Sequence, residues 1–191
     1  SNEVYFRTSM KRITLTTKFF TPLLREDFIA RPRLLGQIKE NCQQKLILIS
    51  APAGFGKTTF LSEWVSTNKN SSTQRYAWLS LDNQDNTPIR FWSYVIHALQ
   101  TVQPGVGKTA LASLESLDPV PIEQFLIVFL NEIAQLDQQL TLILDDYHVI
   151  ESPKIHQGMI FLIDHLPPTL QLILATRIDP PWPLARWRAR Q

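Results

Sequence analysis

The residues whose types and spacing point most directly to chemistry lie in the run Ala51-Pro52-Ala53-Gly54-Phe55-Gly56-Lys57-Thr58-Thr59. It follows the phosphate-loop pattern, with Ala51 standing at the first glycine position. Glycines at 54 and 56 let the backbone curl so that successive N–H groups of Ala53, Gly54, Phe55 and Gly56 turn inward toward phosphate oxygens. A helix beginning near Lys57 adds the partial positive charge of its N-terminus. Lys57 is expected to reach the β- and γ-phosphates, and the Thr58 hydroxyl to ligate Mg²⁺, with Thr59 near the α-phosphate. The competing reading is a plain glycine-rich turn, and the apolar run before the loop argues against it.

A second constellation is Leu142-Ile143-Leu144-Asp145-Asp146, an apolar strand ending in two carboxylates. Asp145 is the expected metal ligand, directly or through water, beside Thr58. Asp146 is the candidate general base for an attacking water. His148 reads as a packing or hydrogen-bonding residue. Leu170 to Ala175 is followed by Thr176-Arg177, and Arg177 there can reach a γ-phosphate; a surface salt bridge is the alternative. Arg186 and Arg188 are weaker candidates for the same contact. Pro104-Gly105-Val106-Gly107-Lys108-Thr109 repeats the letters of the phosphate loop, but the residues before it read as helix. It is expected to be a surface loop between helices.

These residues need elements to hold them. Leu46-Ile47-Leu48-Ile49, Tyr76 to Leu81, Leu140 to Leu144 and Leu170 to Ala175 are short apolar runs suited to strands covered on both faces. Helical spacing lies between them: Arg33 to Cys42, Thr58 to Ser66, Ile89 to Val102, a segment opened by Pro121, and Ser152-Pro153 through Leu166. Thr87 and Pro88 suit a helix cap and first position. Strands alternating with helices predict an α/β fold with a parallel sheet. Ile13 to Phe20 reads as a short strand before Pro22. The division expected is an arm over 1–28 and a core over 29–191, whose last stretch has three prolines and no strand, as if cut within the fold.

With 191 residues, 44% hydrophobic and 19% charged, the chain suits one globular domain with a real core. A net charge of +2 is too slight to predict nucleic-acid binding by this segment. The single Cys42 excludes an internal disulfide and a Cys-rich zinc site, which suits a cytoplasmic protein. No apolar run is long enough for a membrane span. The tryptophans fall at core positions of the expected elements.

Taken together, several motifs resemble the ATPase domain of MalT-like, LuxR-type transcriptional regulators, of the STAND class of signal-transduction ATPases. They are Thr17-Lys18; Ile29-Ala30-Arg31-Pro32-Arg33-Leu34-Leu35; Ser50 through Thr59; Ala77-Trp78-Leu79-Ser80-Leu81-Asp82 with Arg90-Phe91-Trp92; Leu144-Asp145-Asp146-Tyr147-His148; and Ala175-Thr176-Arg177 with Pro183-Leu184-Ala185-Arg186. The resemblance covers nearly the whole chain from about Thr17. It implies a P-loop NTPase three-layer sandwich of strand order 2-3-4-1-5. The fifth strand is not found in this sequence, which leaves the phosphate-loop strand at an edge unless residues 13–20 cover it. It also implies an ADP-bound resting state, an ATP-bound state that self-associates, and a DNA-binding helix-turn-helix in a C-terminal region not present here. Ile29 and Ala30 would contact adenine through their backbone, with Arg31 near the nucleotide; Ala30 stands where the family usually has glycine.

The leading expectation is a slow, Mg²⁺-dependent ATPase used as a switch. The alternatives are a phosphotransferase built on the same loop, or a nucleotide-binding scaffold without catalysis. Direct DNA binding by this segment is disfavoured by its charge.

Overall fold

The computed structural model describes residues 14–23, 45–68, 74–116 and 120–188. The expected helix at Arg33–Cys42, and Ile29, Ala30 and Arg31, lie outside the described residues. The four apolar runs form strands β1 (Leu46–Ser50), β2 (Gln74–Ser80), β3 (Gln139–Asp145) and β4 (Leu170–Thr176). They make one parallel sheet in the order β1-β4-β3-β2. This is the order 2-3-4-1 read from the other side, and the strand leading to Arg177 runs between those leading to the phosphate loop and to Asp145.

Helices cover both faces: α1 (Lys57–Asn68), α2 (Pro88–Gln100), α3 (Lys108–Leu114), α4 (Ile122–Ala134), α5 (Pro153–Asp164) and the short α6 (Leu184–Arg188). The two-residue period of the strands decides which side chain meets which layer. Trp78, Ile143, Ile173 and Ala175 pack against Phe60, Leu61, Trp64 and Val65 of α1. Ala77, Leu79, Leu142, Leu144, Leu172 and Leu174 face the larger core built with α2, α4 and α5. The central strands β3 and β4 are therefore apolar on both sides, and β4 is buried at every position. Among the described residues no helix is long and apolar enough to cross a membrane.

Several local expectations are corrected. Residues Thr16–Phe19 form a 3-10 turn, not a strand. They pack beside β2 at the opposite edge from β1, so they do not cover the phosphate-loop strand, which pairs only with β4 among the described residues. Long-range polar contacts decide this. The Leu15 amide donates to the Tyr94 hydroxyl at 3.1 Å. Buried Lys18 pairs with Asp82 at 3.0 Å and with fully buried Asp85, which also takes Arg90 Nε at 2.9 Å. Thr87 does sit at the start of α2 with Pro88 next to it, but its side chain makes no capping bond. The proline-rich end contains α6, in which Arg186 pairs with Asp164 at 2.5 Å and Trp187 Nε1 donates to the same carboxylate at 2.8 Å. Arg186 is thereby tied to the last residue of α5 rather than to the phosphate loop.

Candidate functional site

All four strands end at one edge of the sheet, on Ser50, Ser80, Asp145 and Thr176. Ligands of open parallel sheets bind at this carboxyl edge. The phosphate loop leaves β1 here and is anchored by the Ala51 amide, which donates to Thr176 O at 3.2 Å. Gly54 and Gly56 have φ of 81° and 71°, the left-handed region that the curl requires. Ala51 does not: the only non-glycine with positive φ among the described residues is Asp146. Alanine therefore meets no backbone penalty at the first glycine position.

The helix α1 begins at Lys57, with no acidic residue in its first turn. Its first amides have no acceptor within the helix and remain available to an anion. Lys57 Nζ folds over the loop and donates to Ala51 O and to Pro52 O, the latter at 3.0 Å. Its ammonium is thus held over the cradle. Ala53, Gly54 and Phe55 are exposed at the loop's tip, and Thr59 is half-buried behind it.

Opposite Lys57, the Thr58 hydroxyl donates to Asp145 Oδ2 at 2.8 Å. The other carboxylate oxygen accepts the Asp146 amide at 2.9 Å. Asp145 is only 2% exposed. Burial raises its pKa above the usual carboxylate value; the Thr58 hydrogen bond opposes this, and the neighbouring Asp146 charge adds to it. Asp146 follows at φ 58° and begins the 3-10 turn Tyr147–Val149. That conformation costs an aspartate energy and turns its side chain out of the strand, half toward solvent.

Two further residues converge on this edge. His148 Nδ1 lies 3.8 Å from Asp146 Oδ1. Its pKa is held below the usual imidazole value, first by burial and then by the positive charges of Arg177 and Lys57. Among the described residues its buried Nδ1 has no hydrogen-bond partner. The sequence reads His148 as a packing or hydrogen-bonding residue, and the structure places it beside Asp146. The signal was its position two residues after Asp146. Arg177 is exposed directly after β4 and makes no ion pair among the described residues, so the salt-bridge alternative finds no support there.

The set suits a nucleotide with a hard divalent cation. No group of three or more His, Cys, Asp or Glu able to hold a metal exists among the described residues. One hydroxyl and one buried carboxylate match the way Mg²⁺ is held when phosphates and water supply its other ligands.

The second glycine loop differs in a telling way. Gly105 and Gly107 also have positive φ, at 86° and 68°, and α3 starts at Lys108. The expected surface loop thus leads directly into a helix, with Val106 and Gly107 buried. The first-turn amides of Thr109 and Ala110 already donate to the Glu132 carboxylate, both at 3.1 Å. The anion position is filled by the protein's own acid. A cavity of about 550 Å³ lined by Thr14, Arg90, Ser93, His97 and Glu115 contains none of the phosphate-loop or Asp145 residues.

No model of a known protein family matches the chain. It is 33% identical over 176 residues to the HTH-type transcriptional regulator MalT of Serratia proteamaculans, covering 92% of this chain and 19% of that protein. It is 35% identical over 177 residues to MalT of Cronobacter sakazakii, covering 93% and 19% respectively. The chain thus spans about a fifth of the length of these curated relatives. In structure it resembles Cdc6p from Pyrobaculum aerophilum with a TM-score of 0.58 at 17% identity, covering 87% of this chain and 44% of that one. That likeness shows the fold alone, a parallel sheet covered by helices on both faces.

Proposed function

As a homologue of the MalT transcriptional regulators built on a P-loop NTPase fold, the chain is, we propose, the ATP- and ADP-binding switch domain of such a regulator. The observation that carries this reading is the 2.8 Å hydrogen bond between Thr58 and buried Asp145, directly beneath the phosphate loop. A hydroxyl and a buried carboxylate held this close support a site for a nucleotide-bound cation.

In this reading the amides of residues 53–59 cradle the phosphates and Lys57 contacts the β- and γ-phosphates. Thr58 and Asp145 hold Mg²⁺, which neutralises charge building on the phosphate oxygens. Asp146 orients or deprotonates the attacking water, with His148 beside it. Arg177 contacts the γ-phosphate and so distinguishes ATP from ADP. Ile29 and Ala30, outside the described residues, would contact adenine through their backbone, with Arg31 near the nucleotide. Hydrolysis is slow because its useful product is a change of state. Self-association of the whole protein in the ATP state, a cytoplasmic location and DNA binding through a separate helix-turn-helix complete the proposal.

Calorimetric titration with ATP and ADP, with and without Mg²⁺, tests it beside Lys57→Ala. The wild type is expected to bind both, and the variant to lose at least about tenfold in affinity, the scale of one charge-assisted phosphate contact. Absence of binding by the wild type would overturn the proposal.

A further inference from the structure

One side chain stitches the loop after β2 to the turn that carries Asp146. Asn86 Nδ2 donates to Val149 O at 2.8 Å, and Asn86 Oδ1 accepts the amides of Glu151 at 2.6 Å and Ser152 at 3.1 Å. The same Nδ2 also lies 3.2 Å from Asn83 O. Both amide protons and both acceptor positions of the side chain are used.

The contacts fall on the far side of the 3-10 turn. The turn's own backbone bonds run from Val149 N to Asp146 O at 3.1 Å and from Ile150 N to Tyr147 O at 3.0 Å, and buried Tyr147 anchors its start, with its hydroxyl 3.0 Å from His156 Nδ1. An aspartate at φ 58° stays there only if its surroundings enforce it. Asn86 is itself well anchored. It follows the 3-10 turn Asn83–Asp85, closed by a capping box between Asp82 and Asp85. Asp85 is fully buried and fixed by Lys18 and Arg90. A continuous set of polar contacts therefore runs from the arm residue Lys18, through Asp85 and Asn86, to the residues after Asp146.

We infer that Asn86 is a positioning residue for hydrolysis: by clamping residues 149–152 it holds the Asp146 carboxylate and the His148 ring where the γ-phosphate is attacked. The inference rests on the function proposed above. The hydrogen bonds Asn86 makes among the described residues go to Asn83, Val149, Glu151 and Ser152, away from the phosphate loop, so nucleotide affinity and turnover should respond to it separately. Misplacing a catalytic group by about 1 Å costs on the order of 100-fold in rate.

The test compares the wild-type chain with Asn86→Ala and Asn86→Asp. Alanine removes all the bonds; aspartate keeps the two accepted amides and loses the two donated bonds, to Val149 O and Asn83 O. Turnover at saturating MgATP is expected to fall about 10- to 100-fold in Asn86→Ala and by less in Asn86→Asp. The ADP dissociation constant and the KM for ATP should stay within about twofold, because the phosphate loop is untouched. Amide hydrogen exchange in the nucleotide-free chain supplies a readout independent of activity. Residues 146–152 should exchange faster in Asn86→Ala, and residues 51–62 should not change.

Unchanged exchange at 146–152, or a parallel loss of ADP affinity and turnover, would overturn the inference. So would loss of the folded state in both variants, which would make Asn86 a residue of the fold alone. A wild type that binds nucleotide without turning it over would instead sink the hydrolytic part of the proposed function, while the exchange data still decide whether the clamp exists.

Discussion

Thr58 Oγ1 and Asp145 Oδ2 lie 2.8 Å apart across 87 positions of chain, one at the first turn of a helix and the other at the end of a central strand. The bond is available because the hydroxyl has nothing better to donate to and the carboxylate is buried. A cation arriving with a nucleotide would replace the shared proton contact with two oxygen ligands. Under the proposed function, the pair is also where stability and function would be in tension.

Asp145→Asn should make that tension measurable. Burial raises the Asp145 pKa above 3.8. Between 3.8 and the raised value the folded chain holds a proton that the unfolded chain has released, so stability falls as pH rises through this window and stays lower above it. In the metal-free chain, the asparagine variant is expected to melt at or above the wild-type temperature at pH 7. That advantage should shrink toward pH 4, while the Mg²⁺ dependence of ATP affinity disappears. A variant clearly less stable at pH 7 would show that the bonds from Thr58 and Asp146 outweigh the buried charge.

The two glycine loops should respond to alanine in opposite ways. A Cβ at Gly56 meets open space, so Gly56→Ala pays only for its φ of 71°, about 1–2 kcal/mol, while disturbing the cradle. A Cβ at Gly107 would lie 2.9 Å from Ile96 Cγ2 and 3.2 Å from Phe129 Cε2, adding overpacking to the same backbone strain. Gly107→Ala is expected to cost about 2–4 kcal/mol with nucleotide affinity unchanged. Denaturant titrations and calorimetry on both variants check this, and a loss of affinity in Gly107→Ala would make the second loop more than a turn.

Acid should destabilise the chain partly through two histidines. His148 and His156 are both held below 6.5, chiefly by burial. As pH falls below 6.5, the unfolded chain takes up protons that the folded chain refuses, so their contribution to stability is present above that value and lost below it. His148→Asn and His156→Gln should each reduce the stability difference between pH 7.5 and 5.5, measured by chemical denaturation. An unchanged difference would mean that other groups carry the acid response.

Lys18→Met removes one of the two cations on fully buried Asp85. Breaking a buried pair outright costs about 3–5 kcal/mol. Because Arg90 remains, a loss of about 2–3 kcal/mol is expected. Adding Asp85→Asn should recover part of it, since the asparagine carbonyl can still accept the Asp82 amide. Additive losses in the double variant would refute direct pairing.

Much of the fold was legible in local pattern. Leu46-Ile47-Leu48-Ile49, Leu140 to Leu144 and Leu170 to Ala175 are apolar except at Thr141 and Gln171, the pattern of a parallel strand covered on both faces, and that signal needs no partner to be read. The arm misled because Ile13 to Phe20 has strand-like residues, while Lys18 gains more from Asp82 and Asp85 than from any ladder. Those partners are 64 or more positions away and leave no periodic trace; the Lys18–Asp85 bond spans 67.

By itself, the sequence determined the alternation of strands and helices, the glycine loop before Lys57 and the strand ending in Asp145, because periodicity and φ requirements are properties of neighbouring residues. The sequence already set the second glycine loop apart by the helix before it, but only the tertiary structure showed what fills its helix N-terminus. Glu132 fills one helix N-terminus from 22 positions away, whereas the first turn of the other contains no acidic residue of its own. It also decided that β4 brings Arg177 and His148 into one field, and that Asn86 reaches across 63 positions to the turn after Asp146. These are pairings of polar groups across long loops, settled by which buried donor finds which acceptor once the sheet has formed.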